Sequence, residues 1–281
     1  MGMRERILGL KLRPDQLGIF FLGQMGFIIK YRDTYVMIDG YLTDYVDTHF
    51  STPTLKWRRN YPAPITPDDL DFLDYVFCTH PHADHADPDT LAAAARCSNA
   101  RFYVPDPMVM ELTGYGVPRA RVTGLLTDRT FSLCEGIAVR AIPAAHEELH
   151  KLGEDCYAEV GYVFSFVDAT LYHSGDSCIY DGLEQRLADV DVVMLPVNGR
   201  DHYRRYRDDI IGCFNACEAV TLARDIGARL MIPAHFGLYD VNTVNPAELI
   251  DILHRESPAQ HFHIFAPGEA YIYDPMLYTT R

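Results

Sequence analysis

No stretch of this chain is long and apolar enough to span a bilayer, and residues 1–11 hold no continuous apolar run of the kind an export signal needs. Those absences set the expectation of a cytoplasmic protein. Positive charge is scarce: 25 Lys and Arg stand against 39 Asp and Glu, a formal net charge of −14. Such a surface repels polyanions at long range, which argues against nucleic acid and anionic membrane as partners. A small anionic substrate stays compatible, because cations held in a cleft invert the local field. The seven cysteines are odd in number and scattered, with no CxxC pair, so a reducing compartment is expected rather than a disulfide framework. Cys213 and Cys217 read as small apolar neighbours on one helix. No fixed-period repeat, low-complexity tract or linker interrupts the chain. What remains is ordinary globular composition, 48% apolar and 23% charged over 281 residues. That suffices for a substantial core in a single domain, 1–281.

Hydrophobic patterning predicts strands over 17–22, 27–31 and 35–38, with turns at 23–26 and 32–33. From 41 to 67 the pattern is lost, in favour of Tyr, Trp57, a basic cluster (Lys56, Arg58, Arg59) and prolines. A loop of that length is expected to be a lid or an insertion packed on a neighbour. A strand over 71–78 enters a histidine-rich segment. Asp87-Pro88-Asp89 then marks a helix start, with Asp as N-cap and Pro in the first turn. Further strands are expected over 101–104, 131–133, 138–142, 162–166, 170–173, 190–195, 229–232, 262–265 and 271–273. Helices are expected over 90–97, 108–114, 182–187, 214–226 and 246–255. Many strands with helices inserted between them indicate a layered α/β domain with mixed sheets.

The chemistry centres on Thr79-His80-Pro81-His82-Ala83-Asp84-His85, an HxHxDH pattern. At this composition such a match arises by chance with a probability on the order of 0.002. In extended chain, residues two apart point the same way, so His80 and His82 can address one metal ion together. Asp84 and His85 follow where the chain turns toward the helix, and can face a second ion. Imidazole nitrogen and carboxylate oxygen suit zinc, manganese or iron. Four more residues directly follow apolar strands: His146, His173 and Asp176, and His235. Strand ends are where layered α/β folds place their sites.

HxHxDH, then a lone His, an Asp in a Ser-Gly-Asp turn and a final His resembles the ligand order of the metallo-β-lactamase superfamily, from about Leu17 to Tyr273. Tyr172-His173-Ser174-Gly175-Asp176-Ser177 and Gly114-Tyr115-Gly116-Val117-Pro118 resemble its L-ascorbate-6-phosphate lactonase (UlaG-like) family. At His146 the chain departs from the lactonase pattern, which has an Asp nearby, and keeps the residue of the wider superfamily. The resemblance implies a four-layer αβ/βα sandwich, two mixed β-sheets flanked by helices. It implies His80, His82 and His146 on a first divalent ion (Zn²⁺ or Mn²⁺), Asp84, His85 and His235 on a second, and Asp176 bridging both. His173 is expected to orient a ligand from behind.

Two close cations would generate a hydroxide nucleophile at neutral pH and stabilise the developing oxyanion, with Asp84 or Asp176 relaying the proton. The expected activity is hydrolysis of a small anionic ester or lactone, such as a sugar-phosphate lactone. The alternative is a phosphodiesterase acting on a small cyclic or diester phosphate. Iron-based redox chemistry is expected to come with a flavin domain, and a non-enzymatic scaffold with lost ligands. Arg200 and Tyr203, in the loop after 190–195, are candidate substrate contacts. The 18 tyrosines, with Tyr271, Tyr273 and Tyr278 near the end of the chain, suggest a homo-oligomer interface.

Overall fold

The computed structural model describes residues 1–278. The first half begins with α1 (Met3–Gly9), β1 (Leu17–Gly23), β2 (Gly26–Tyr31), β3 (Thr34–Ile38) and α2 (Tyr45–Phe50). Then come β4 (Tyr75–Phe77), α3 (Pro88–Cys97), β5 (Arg101–Pro105), α4 (Val109–Gly114), β6 (Val122–Leu125), β7 (Thr130–Cys134) and β8 (Ile137–Pro143). A small hairpin, β9 (Lys151–Gly153) and β10 (Cys156–Tyr157), precedes β11 (Val160–Phe166), β12 (Thr170–His173), α5 (Leu183–Arg186) and β13 (Val192–Pro196). The chain closes with α6 (His202–Arg207), α7 (Ala216–Asp225), β14 (Leu230–Ala234), α8 (Pro246–Glu256) and β15 (Ala270–Tyr273).

Two large sheets result. One has seven strands in the order β15-β1-β2-β3-β4-β5-β6, and the other six in the order β14-β13-β12-β11-β8-β7. Each is antiparallel on one side and parallel on the other: β3-β4-β5-β6 run parallel, as do β12-β13-β14. The period of two along each strand sorts side chains into layers. In β1, Leu17, Ile19 and Phe21 join the core between the sheets, while Phe20 and Leu22 pack with Ile7, Leu91 and Leu112 of the helices. In β13, Val192 and Met194 enter the same central core, and Val193 and Leu195 meet Val220, Leu222, Leu249 and Leu253. Each such side chain removed from water contributes on the order of 1.5–3 kcal/mol. The α/β fold with two mixed sheets flanked by helices is therefore the one expected.

Several local expectations change. The strand over 71–78 shrinks to β4, because Leu70–Leu73 form a turn and Asp74 accepts a hydrogen bond from Tyr35 N. The helix over 214–226 starts at Ala216: Asn215 is its N-cap, in a capping box with Glu218. Cys213 thus lies outside the helix, buried, and is no helical neighbour of exposed Cys217. The strand over 262–265 is absent; Phe262 makes one parallel bridge with Met231 before the chain leaves toward Pro267. The structure adds short elements to those expected: α1, β6, the β9–β10 hairpin and α6, which replaces a loop after β13. Each is only two to seven residues long, too short for periodicity to register.

The segment 41–67 carries α2 and packs onto the loop after β14. Tyr41, Val46, Leu238 and Tyr239 form a separate apolar cluster with Trp57, Tyr61 and Ala83 against it. Near the chain's end, Tyr273 is buried and stacks on Tyr278, whose hydroxyl meets that of Tyr271. No helix of the described residues is long and apolar enough to cross a membrane.

Candidate metal centre

The chain leaves one edge of both sheets through six loops that carry polar side chains. Gln24 follows β1, Asp39 follows β3, and Thr79 to His85 follow β4. His146 follows β8, Asp176 follows β12, and His235 follows β14. Three of these, Gln24, Asp39 and His235, hold left-handed backbone, with φ of 56, 47 and 59°. Such conformations cost energy in non-glycine residues and persist where surrounding contacts enforce them, commonly at functional sites.

Asp39 is fully buried and organises the HxHxDH segment. Its Oδ1 accepts from Thr79 N at 2.8 Å and its Oδ2 from Thr79 Oγ1 at 2.6 Å. Oδ2 also lies 2.8 Å from His85 Nδ1, which donates to it. Because Thr79 Oγ1 gives its proton to Asp39, it accepts from His80 Nδ1 at 3.0 Å. Both imidazoles thereby turn Nε2 away from the protein and toward the site. Gly175, at φ 59°, brings Asp176 in: a Cβ there would stand 2.6 Å from Thr79 Cβ, so only glycine fits this turn.

The donor atoms converge. His80, His82, His146 and Asp176 form one group whose ligand atoms all lie within 4.8 Å of one another, and Asp84, His85 and His235 form a second. Asp176 joins them. His146 Nε2 is 3.6 Å and His235 Nε2 3.3 Å from its Oδ2, and His85 Nε2 is 3.3 Å from its Oδ1. His80 Nε2, His85 Nε2, His146 Nε2 and Asp176 Oδ1 are buried without a hydrogen-bond partner. Four converging, buried, unpaired donors would be costly unless an ion satisfied them, and imidazole with carboxylate suits a divalent metal. The residues fit the group the sequence implies. His82 is exposed and Asp84 partly so, which places them at the mouth.

Electrostatics divide the two groups. Burial pushes the His80 imidazolium well below its usual range, with His85 and His82 adding to the effect. Burial likewise lowers His146, to about 3. His85 goes the other way: burial opposes its charge, but Asp176, Asp84 and Asp39 outweigh it and raise its pKa well above the usual value. Burial would raise the Asp176 carboxyl, yet His235 and His85 hold it well below its normal range. Asp84 is lowered too, by His85 and His235 against burial.

His173 holds a tautomer behind the site. Its Nε2 donates to Met25 O at 2.8 Å, and its Nδ1 accepts from Gly175 N at 3.2 Å. It therefore pins the turn that presents Asp176. The Arg200 fork is already engaged, held by Glu218 at 2.6 and 2.7 Å. Tyr203 is exposed on α6, beneath the Arg207 guanidinium. Gln24, Asp39 and Thr79 belong to the site without standing in the ligand pattern. The one signal for Asp39 was an acid directly after an apolar strand, the same signal that marks His146 and Asp176.

A family model described as "Beta-lactamase superfamily domain" matches residues 36–236. An uncharacterized protein of Mycobacterium bovis is 27% identical over 248 residues, covering 85% of this chain and 65% of its own length. The chain thus spans about two-thirds of that relative. A UPF0173 metal-dependent hydrolase of Caldivirga maquilingensis is 25% identical over 218 residues, 76% of this chain and 86% of the other. Among solved structures, isothiocyanate hydrolase from Delia radicum gut bacteria superposes with a TM-score of 0.71 at 17% identity, covering 90% of this chain and 98% of that one. With the family model covering most of its length, the chain belongs to the β-lactamase superfamily domain family and carries the metallo-β-lactamase fold.

Proposed function

We propose that the chain is a metal-dependent hydrolase with two divalent ions, zinc or manganese, acting on a small anionic ester or lactone of the L-ascorbate-6-phosphate lactonase type. One observation carries the reading: two donor groups meet at Asp176, whose oxygens lie within 3.3 Å of His85 and His235 and 3.6 Å of His146. His80, His82 and His146 would hold one ion, Asp84, His85 and His235 the other, with Asp176 between. Such a pair supplies a nucleophilic water at neutral pH and a Lewis acid for the carbonyl oxygen.

The protein's own side chains divide the remaining tasks. Asp176 is buried and surrounded by imidazoles, so it stays ionised and would hold metal rather than carry protons. Asp84 sits at the mouth, where its carboxylate can take a proton and pass it to the leaving oxygen. Tyr41, Trp57 and Tyr239 cluster with Ala83, the neighbour of Asp84, and we read them as the aromatic wall of the opening. Anion recognition we assign to Arg59 rather than Arg200. The Arg59 guanidinium lies 4.6 Å over the Tyr41 ring, and its Nη2 is buried without a partner. The fork of Arg200 is already filled by Glu218, and exposed Tyr203 stands outside the aromatic wall.

The test is metal content per chain by elemental analysis, followed by a substrate screen with zinc or manganese restored. About two ions and turnover of sugar-phosphate lactones support the reading. Turnover confined to cyclic or diester phosphates, or to isothiocyanates, replaces the substrate class. No metal after reconstitution overturns the hydrolase.

A further inference from the structure

The HxHxDH segment leaves the interior at Asp84, which is only partly buried. Its side chain is 18% exposed. Among the described residues one hydrogen-bond donor reaches it: Gln24 Nε2, 2.8 Å from Asp84 Oδ2. The same nitrogen lies 3.2 Å from His235 Nε2. The Gln24 backbone carbonyl also accepts from His235 N at 2.8 Å. A single residue thus touches two of the three donors of one group, by side chain and by main chain. It touches none of the other group.

Gln24 is not an ordinary core residue. It is fully buried, its Oε1 has no partner, and its backbone is left-handed at φ 56°. A buried carboxamide with half its capacity unpaired costs stability unless it serves the site. It is also neutral at every pH, so it can steady Asp84 without adding charge to a cluster whose balance already rests on three carboxylates and five imidazoles. We propose that Gln24 is a positioning residue for the Asp84–His85–His235 group, setting that group's metal affinity and not the affinity of His80, His82 and His146. This rests on the two-ion reading above.

Zinc affinity, read by chelator competition on the full chain, tests it without any substrate. Gln24→Met keeps the buried volume and removes the amide. In a His80→Ala/His82→Ala background, where the ion reports Asp84, His85 and His235, the change is expected to weaken zinc about 10–100-fold. In an Asp84→Ala/His85→Ala background, where the ion reports the other group, the affinity should stay within about twofold, because Gln24 hydrogen-bonds none of that group's side chains. Equal losses in both backgrounds would mean a packing defect and overturn the proposal, as would no loss in the first. Should Gln24→Met fail to fold, Gln24→Asn suits left-handed backbone and withdraws the amide from Asp84; unchanged zinc affinity there also overturns it. If the parent itself binds no zinc, the two-ion reading fails first, a result distinct from zinc binding that Gln24 does not influence.

Discussion

Asp39 and His85 are joined by a 2.8 Å hydrogen bond between two fully buried side chains. That contact fixes which imidazole nitrogen faces the site, and the same carboxylate anchors Thr79 twice. Asp39→Ala removes the acceptor and strands a buried hydroxyl, a backbone N–H and an imidazole N–H. Loss of hydrogen bonds to a charged group predicts a stability cost of about 1.5–3 kcal/mol for the metal-free protein. The zinc affinity of His85's group should fall about 10–100-fold. Urea unfolding and chelator competition check the two effects separately. A variant that keeps parental zinc affinity would remove Asp39 from the site.

The two donor groups differ in the proton they must shed. Burial keeps His80 and His146 unprotonated at neutral pH, the latter with a pKa of about 3. His85 keeps its proton, because Asp176, Asp84 and Asp39 outweigh the burial that opposes it. An ion on the Asp84 side must therefore displace a proton that an ion on the His146 side does not. Its affinity should rise with pH across the neutral range, while the other changes less. Calorimetry in buffers of different ionisation enthalpy should show about one more proton released by that group. Equal proton release from both would contradict this division.

The candidate metal-binding residues were legible as a group because metal chemistry demands particular residue types at strand ends, and the HxHxDH spacing is rare by chance; folding brings them together. The layers were legible because β1 and β13 bury alternate side chains on two different cores, which writes a period of two into Leu17–Leu22 and Val192–Leu195. Residues that hold the ligands left no such trace. Thr79 and Gln24 act through single contacts that long-range folding creates; Gln24 lies 60 residues from Asp84. The fork of Arg200 suggested an anion site until folding supplied Glu218, 18 residues on, as its partner. Segment 262–265 has the apolar residues of a strand, but only one bridge forms beside β14. Pairing depends on the neighbour as much as on the sequence itself.

Gly175→Ala should be disproportionately harmful for one methyl group. The turn has φ 59°, and the new Cβ would lie 2.6 Å from Thr79 Cβ. Thr79 has no freedom to retreat, since Asp39 holds both its N–H and its hydroxyl. Strain and overpacking together predict a loss of about 1–3 kcal/mol in urea unfolding. Asp176 moves with the turn, so zinc binding should weaken in both groups at once. A variant with parental stability and stoichiometry would show that the turn can relax.

Segment 41–67 is stapled to the loop that carries His235. Asn60 N donates to Leu238 O at 2.9 Å, and Asn60 Nδ2 to Asp240 Oδ1 at 2.8 Å. Trp57 meets Tyr239 edge to face at 5.2 Å, and the Tyr239 hydroxyl donates to that of Tyr41 at 2.7 Å. These contacts close the aromatic wall from outside without touching a ligand donor atom. Trp57→Ala should cost about 1–3 kcal/mol, less than a fully buried Trp because the side chain is only partly buried. Faster proteolytic cleavage within 41–67, with zinc stoichiometry unchanged, is the expected pattern for a lid. For such a lid, KM should rise more than kcat falls, the pattern of lost binding that is equal in ground and transition states. Loss of zinc together with the loop would instead make the segment a brace for His235, because His235 and Tyr239 share one loop and would move as a unit.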